Sequence, residues 1–174
     1  MNQTGKFVPF STAEEQASAN AFYRDMGALF MNLAGLEAAI RLFLSWQVAG
    51  EGQWLADAGD TVPKGPLTDY RSLGGVIADF NEIAAREGLD IRIDPSIVDL
   101  RDALAHGRIM MHPDEPFPRL VKFGRPAEGR MPIEINQLLT SDWVGHQVTR
   151  VRDAMLGVAS VMPGQHLRAP ERPQ

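Results

Sequence analysis

From Ala13 to Val48 the chain repeats apolar side chains at every third or fourth position: Phe22, Met26, Leu29, Phe30, Leu33, Leu36, Ile40, Phe43 and Leu44, with Gln47 continuing the step. That spacing follows the 3.6-residue helical turn and not the two-residue period of a strand. It predicts one main core helix against which every other element packs. Ser11 or Thr12, followed by Glu14 and Glu15, marks its start, because a hydroxyl cap and a carboxylate three residues on satisfy the first free N–H groups. Gly27 and Gly35 are where the run would break, and also where a second helix can approach closely. Glu37 and Arg41 stand one turn apart and can pair. Two readings stay open: a surface ion pair worth about 0.5 kcal/mol or less, or a pair that orients functional groups elsewhere.

The remainder divides into shorter pieces. Residues 49–67, AGEGQWLADAGDTVPKGPL, are rich in glycine and proline and predict a loop, with a short turn of helix around Trp54–Ala58. Ser72–Glu87 is a second helix with Leu73, Val76, Ile77, Phe80, Ile83 and Ala84 on one face and Gly88 as its stop. A third begins at Asp94-Pro95, where Asp94 can cap and Pro95 suits the first helical position. Ile97, Val98, Leu100 and Leu104 give it an apolar face, and Gly107 fits the left-handed residue that closes a helix.

After Gly107 the pattern changes. Arg108–His112 is short and partly apolar, PDEPFP is a turn, and Arg119–Arg125 alternates apolar with basic residues as a half-exposed strand does. Arg130–Asn136 is a candidate third strand in which Pro132 fits only an edge. Residues 108–136 therefore predict a small β-hairpin or three-stranded flap inserted before the last helix. Thr140 or Ser141 caps that helix, about Asp142–Val161, with Val144, Val148, Val151, Met155 and Val158 facing inward. The expected architecture is mainly α, a four- to five-helix up-and-down bundle occupying residues 1–162. Residues 1–12 are expected to wrap the surface or fray, and the proline-rich tail 163–174 to be disordered.

Composition limits function. With 174 residues and 44% apolar side chains the chain can bury one core. No uninterrupted apolar run reaches eighteen residues, so no membrane span is expected, and the N-terminus lacks a secretory pattern. The absence of cysteine excludes disulfides, thiolate metal sites and a cysteine nucleophile, and suits a cytoplasmic protein. His112, His146 and His166 have no metal-ligand spacing, so neither metal nor cofactor is expected. His146 and Arg150, one turn apart, are expected to face solvent. No phosphate-cradling glycine loop or serine-nucleophile motif is present. Trp46, Trp54 and Trp143 suit core or loop anchors. Net charge is −5, which argues against extended nonspecific nucleic-acid binding. The charge is uneven, however: residues 101–130 hold Arg101, Arg108, Arg119, Lys122, Arg125 and Arg130 against four acidic residues.

One stretch carries chemistry. In Leu100–Gly107, LRDALAHG, an arginine and a histidine lie near the end of one helix, where the helix dipole favours positive charge. The pattern Arg101-Asp102-x-x-x-His106 resembles the Arg-[Asn/Asp/His]-x-x-x-His signature of HEPN domains, small all-α modules of which many are metal-independent ribonucleases. The continuation His106-Gly107-Arg108 is similar to the ending of bacterial members. Glu37-Ala-Ala-Ile-Arg41 resembles the Glu-x-x-x-[Lys/Arg] element of their earlier core helix. The resemblance covers roughly Phe22–Met162.

It implies a division of labour. Arg101 would hold the scissile phosphate through its planar fork, and His106, of near-neutral pKa type, would transfer protons. Asp102, one turn before His106, would orient the imidazole. Arg108, Glu37 and Arg41 are candidate substrate-binding residues. Arg101 and His106 are about 140° apart around a straight helix, so one helix does not easily aim both at one phosphate. The resemblance implies a homodimer whose motif helices share a cleft, with RNA as substrate and a cognate antitoxin or regulatory protein as partner. The alternative is a non-catalytic HEPN module that binds nucleotide or a protein through the same cleft.

Overall fold

The structure, a computed structural model, describes residues 12–49, 57–112 and 114–162. Expectations for residues 1–11, for most of the turn near Trp54–Ala58 and for the tail at 163–174 fall outside the described residues.

Helix α1 spans Ala13–Ala49 without interruption, about 55 Å at 1.5 Å per residue. Thr12 and Glu15 make the reciprocal capping pair: Thr12 Oγ1 accepts from Glu15 N and Glu15 Oε2 from Thr12 N, each at 3.1 Å. Gly27 and Gly35 do not break the helix. Gly35 serves close approach instead, since a Cβ there would lie 2.7 Å from Met155 Sδ. That methionine belongs to α4, Ser141–Ser160, capped by Thr140. Asn32 donates to Val148 O at 3.3 Å, and Met26 shares a core cluster with Val144. Contacts that climb both helices together mean that α1 and α4 lie side by side and point the same way.

α2, Leu73–Arg86, starts at Ser72, whose Oγ accepts from Gly75 N. It ends at Gly88, whose φ of +67° is the left-handed stop the sequence predicts. α3 covers Ile97–His106, two residues later than Pro95 suggests. Asp94 does not cap it directly. Its carboxylate takes Ser96 N at 2.9 Å and Ser96 Oγ at 2.8 Å, folding a turn at Pro95-Ser96 that leads into the helix. Gly107 also differs from expectation. Its φ of −75° and ψ of 177° are extended, because the chain runs from α3 directly into strand β1, Arg108–Met110. Glycine is needed there for space: a Cβ would meet the Ala103 carbonyl and lie 2.9 Å from Leu120 Cδ1.

β1, β2 (Arg119–Phe123) and β3 (Ile133–Leu138) form an antiparallel sheet in that order. Ile109 pairs with Leu120, and Leu120 with Gln137. Glu128 and Gly129, both at positive φ, make the tight turn between β2 and β3. Pro132 stays just outside β3, where its carbonyl accepts from Gly124 N at 2.9 Å; the third strand therefore begins later than its expected start at Arg130. Among the described residues the fold is thus mainly helical, with four helices and a three-stranded antiparallel sheet before the last one.

The larger core cluster joins Leu29, Leu33, Leu36, Ile40 and Phe43 of α1 to Val76, Ile77 and Phe80 of α2, Ile97 and Leu100 of α3, and Val151 and Val158 of α4. The smaller one, Met26, Ala103, Leu120, Leu139 and Val144, seats the sheet on the helices. Phe30 belongs to neither and is 46% exposed, so α1 carries a second apolar face turned outward. That second face raises its mean hydropathy to 1.4 over a window of which a third is buried, and by length and composition α1 could cross a membrane. Counting only uninterrupted apolar runs overlooks this, because glycine, alanine and a few polar residues are interleaved.

Candidate functional site

The end of α3 is fixed from beneath. Ala103 is fully packed on Met26 and Leu120, Leu100 is buried in the larger cluster, and Leu104 touches both. These contacts turn Arg101, Asp102 and His106 outward. Arg101 and Asp102 are each about two-fifths exposed and pair with one another, Nη1 to Oδ1 at 3.2 Å. His106 is exposed in the last turn and makes no hydrogen bond or ion pair among the described residues. The expected contact between Asp102 and His106 is not formed, because Asp102 turns to its chain neighbour Arg101.

Arg108 follows on β1. Its guanidinium lies over the Phe123 ring, 5.3 Å from the centroid, on the face it shares with Val121 opposite. Half of the basic stretch beyond is neutralised. Arg119 grips Glu115 with two bonds of 2.6 Å and reaches Asn136 Oδ1 at 3.1 Å. Those bonds hold the Glu115 carboxyl below its ordinary range against the opposing effect of burial. Lys122 pairs with Glu134 at 3.2 Å. Arg125 and Arg130 are exposed and have no ion pair among the described residues.

The Glu37–Arg41 pair forms, with Arg41 Nε donating to Glu37 Oε1 at 3.0 Å, but it does not serve the motif. Arg41 is only 11% exposed. Its remaining donors enter the segment before α2: Nη1 to Pro66 O at 3.0 Å and to Asp69 Oδ1 at 2.8 Å, and Nη2 to Arg71 O at 2.6 Å. Arg71 completes the cluster with Asp69 Oδ2 at 2.6 Å and with Asp79. Burial pushes the Asp69 carboxyl up, but the hydrogen bonds from Arg41 and Arg71 outweigh it and hold the carboxyl below its ordinary value. This is an anchor for residues 65–71, and neither Glu37 nor Arg41 is joined to Arg101 or His106.

Arg150, expected in solvent, is another structural tie. Nη2 donates to Asp94 Oδ2 at 2.7 Å and also to Ser96 Oγ, and Nη1 to Gln147 Oε1 at 3.1 Å. It links α4 to the start of α3, for the acidic turn at Asp94 lies across from its helix face. The N–H and hydroxyl of Ser96, with Arg150 beyond them, hold the Asp94 carboxyl low. His146 is exposed, as expected. Trp143 is half-buried against both core clusters.

No group of three or more His, Asp and Glu side chains suited to a metal ion occurs among the described residues. Two open clefts, of about 550 and 440 Å³, lie beside residues 90–92; the first is walled by Asn81 and Glu82 and the second by Asp94 and Arg150. Neither includes Arg101, Asp102 or His106. Within one chain the motif stands on an exposed helix tip, able to present a cation and an imidazole to a phosphate but not to enclose it. Comparison of the chain with known protein families, with characterised proteins and with solved structures finds no match.

Proposed function

We propose that this chain is a metal-independent endoribonuclease of HEPN type, acting as a homodimer whose α3 tips together form the cleft that one chain lacks. On this reading the four helices are a HEPN-like bundle, with the sheet occupying the turn between α3 and α4. The observation that carries the proposal is the state of His106: exposed and without a hydrogen-bond partner in its own chain among the described residues. A structural histidine at a helix end is usually buried and bonded, whereas a proton-transfer group must reach its substrate.

Cleavage needs no group the motif lacks. The ribose 2′-oxygen attacks phosphorus and loses its proton to one imidazole. The bond from phosphorus to the 5′-oxygen breaks as a second imidazole, His106 of the other copy, protonates the leaving oxygen. The products are a 2′,3′-cyclic phosphate and a 5′-hydroxyl. Arg101 stabilises the added charge on the phosphate oxygens. Arg108, one residue beyond Gly107, would take a flanking phosphate. A cytoplasmic toxin or phage-defence role, held in check by a cognate antitoxin, is the setting such an activity fits.

A second reading, the non-catalytic HEPN module, is favoured by one observation: Asp102 pairs with Arg101 and so offsets the cation that should meet the phosphate. Incubating a varied RNA pool in EDTA with wild type, His106→Ala and Arg101→Ala separates the two. The ribonuclease reading expects cyclic-phosphate ends from wild type alone. An inert wild-type protein that is folded and dimeric turns the assignment to the binding module.

A further inference from the structure

The outward face of α1 has an order of its own. Tyr23, Phe30 and Met31 are 63%, 46% and 72% exposed, and Gly27, Ala34 and Ala38 lie exposed among them. At about 100° per residue these six occupy a strip roughly 100° wide, on the side away from Leu29, Leu36 and Ile40. The strip is bounded. Gln16 and Asn20, joined at 3.1 Å, close it toward the N-terminus, and Arg41 with the segment it anchors closes it toward the C-terminus.

We propose that this strip is an interface between two copies of the chain, with α1 packed antiparallel on α1 of the second copy about a two-fold axis between Phe30 and Met31. The proposal goes beyond the ribonuclease reading and does not rest on it. Counted outward from that axis, the strip runs Phe30 and Met31, then Gly27 and Ala34, then Tyr23 and Ala38. Antiparallel pairing therefore sets Phe30 level with Met31 of the second copy, Gly27 with its Ala34, and Tyr23 with its Ala38. Small residues beside the axis let the helices close up, and each tyrosine meets an alanine that leaves it room. Among the described residues, apart from the helix's own backbone, nothing lies within 4 Å of a Cβ built on Gly27, which leaves room there for a partner.

The polar edge agrees. Tyr23 and Glu37 fall on the same edge of the strip, and in this register they come level across the interface. Glu37 gives Oε1 to Arg41, and among the described residues its Oε2 accepts no hydrogen bond, so the phenol of the second copy can donate to it. No charge lies within the strip, and Arg24 at its other edge is already paired with Asp25 at 2.9 Å. An uncharged strip suits a second uncharged strip better than an anionic partner such as RNA. Two half-exposed aromatics and a methionine per copy, with their neighbours, bury about 1,000 Å² across both copies. That area is at the lower end for specific association, where weak, transient pairing falls, so the dimer is sought in the micromolar range.

Sedimentation of the full chain from about 1 to 200 μM tests the pairing, since that range brackets a micromolar Kd. The expected result is concentration-dependent association that the double variant Phe30→Asp/Met31→Asp halves in mass, with its helical signal unchanged. A chain that also pairs through α3 assembles past the dimer, and the variant still halves its mass without abolishing RNA cleavage. The register has its own test, because the chain has no cysteine. Gly27→Cys protein mixed with Ala34→Cys protein should form the mixed disulfide. Either variant alone should not, its two thiols lying about 10 Å apart along the helices, beyond the ~7 Å that a disulfide bridges. A monomer throughout the range, a mass indifferent to the double variant, or like-with-like disulfides as abundant as mixed ones would each overturn the proposal. So would flotation with neutral phosphatidylcholine vesicles that the double variant abolishes, for lipid would then be the occupant of the strip.

Discussion

Arg41 and Arg101 look alike in sequence, each an arginine near an acidic residue on a helix beside a motif-like partner, yet the fold uses them in opposite ways. Arg41 is nine-tenths buried, with its donors directed to Glu37, Pro66, Asp69 and Arg71. Arg101 is two-fifths exposed and holds one bond of 3.2 Å to its neighbour Asp102, while His106 beside it holds none among the described residues. A guanidinium saturated by its own chain has nothing left for a ligand, and its loss leaves several acceptors unpaired. A helix tip with unsaturated donors adds little to stability and remains free to bind. The two regions should therefore respond oppositely to substitution: α3 in activity, the Arg41 cluster in stability.

The largest effect is expected at His106. His106→Ala should lower RNA cleavage by about 10²- to 10⁴-fold, the range for loss of a proton-transfer group. Thermal stability should stay within about 0.5 kcal/mol of wild type, as for an unbonded surface residue. Unfolding curves recorded alongside cleavage assays check both halves. A large loss of stability would place His106 with Arg41 and erase the contrast. Next comes Arg41→Ala, expected to cost about 3 kcal/mol because it leaves the Pro66, Asp69 and Arg71 carbonyls without their donor and the Asp69 carboxylate to Arg71 alone, with cleavage per folded molecule unchanged. Arg41→Lys should recover only part of this, since one ammonium cannot reproduce the fork. Urea titration gives the magnitude, and a cost below about 0.5 kcal/mol would reduce the cluster to an ordinary surface pair.

Two glycines refine the comparison at a smaller scale. Gly107→Ala drives a Cβ against the Ala103 carbonyl and Leu120 Cδ1 where α3 joins the sheet, and should cost about 1–3 kcal/mol by overpacking. It should also reduce cleavage, because it shifts the tip that carries His106. Gly88→Ala meets nothing within 4 Å among the described residues but sits at φ +67°, so it should cost about 1 kcal/mol from backbone strain alone and leave cleavage intact. Equal effects of the two on activity would show that the junction does not position the tip.

Much of this was legible in the sequence. The 3.6-residue period locates the four helices of the described residues, and alternation with Pro132 locates the sheet, because these signals are local. The Arg101–His106 motif is local too, and the structure brings its residues to one exposed helix end. What periodicity could not supply is direction. It marks Phe30 as apolar without saying that α1 has two apolar faces. It marks Glu37 and Arg41 as a pair without showing that Arg41 also finds acceptors 25 to 30 residues on, in a glycine- and proline-rich stretch. It places Arg150 on a helix face without revealing that Asp94 lies across from it. Gly107 was marked as a stop for its residue type, whereas its role follows from the packing of Leu120, which belongs to another element.

The smallest expected effect lies in acid, and it bears on the structural side of the comparison. Asp69, Asp94 and Glu115 are all held below their ordinary values of 3.8, 3.8 and 4.5. Folded protein then carries fewer protons than unfolded chain through that range, so stability falls as pH falls. Their contribution is complete above the unfolded values and is lost as pH drops through the lower, folded ones. Tm should be level from pH 7 to about 5 and decline below about 4.5. Asp69→Asn should flatten the decline most, because Arg41 and Arg71 both bind that carboxylate in a sheltered place. Asp94→Asn should do less, for its side chain is 58% exposed and solvent screens its pairing with Arg150. Melting curves of the two variants between pH 7 and 2.5 decide the ranking. If Asp69→Asn leaves the acid limb as steep as in wild type, the Arg41 cluster is not the electrostatic anchor that sets it apart from the α3 tip.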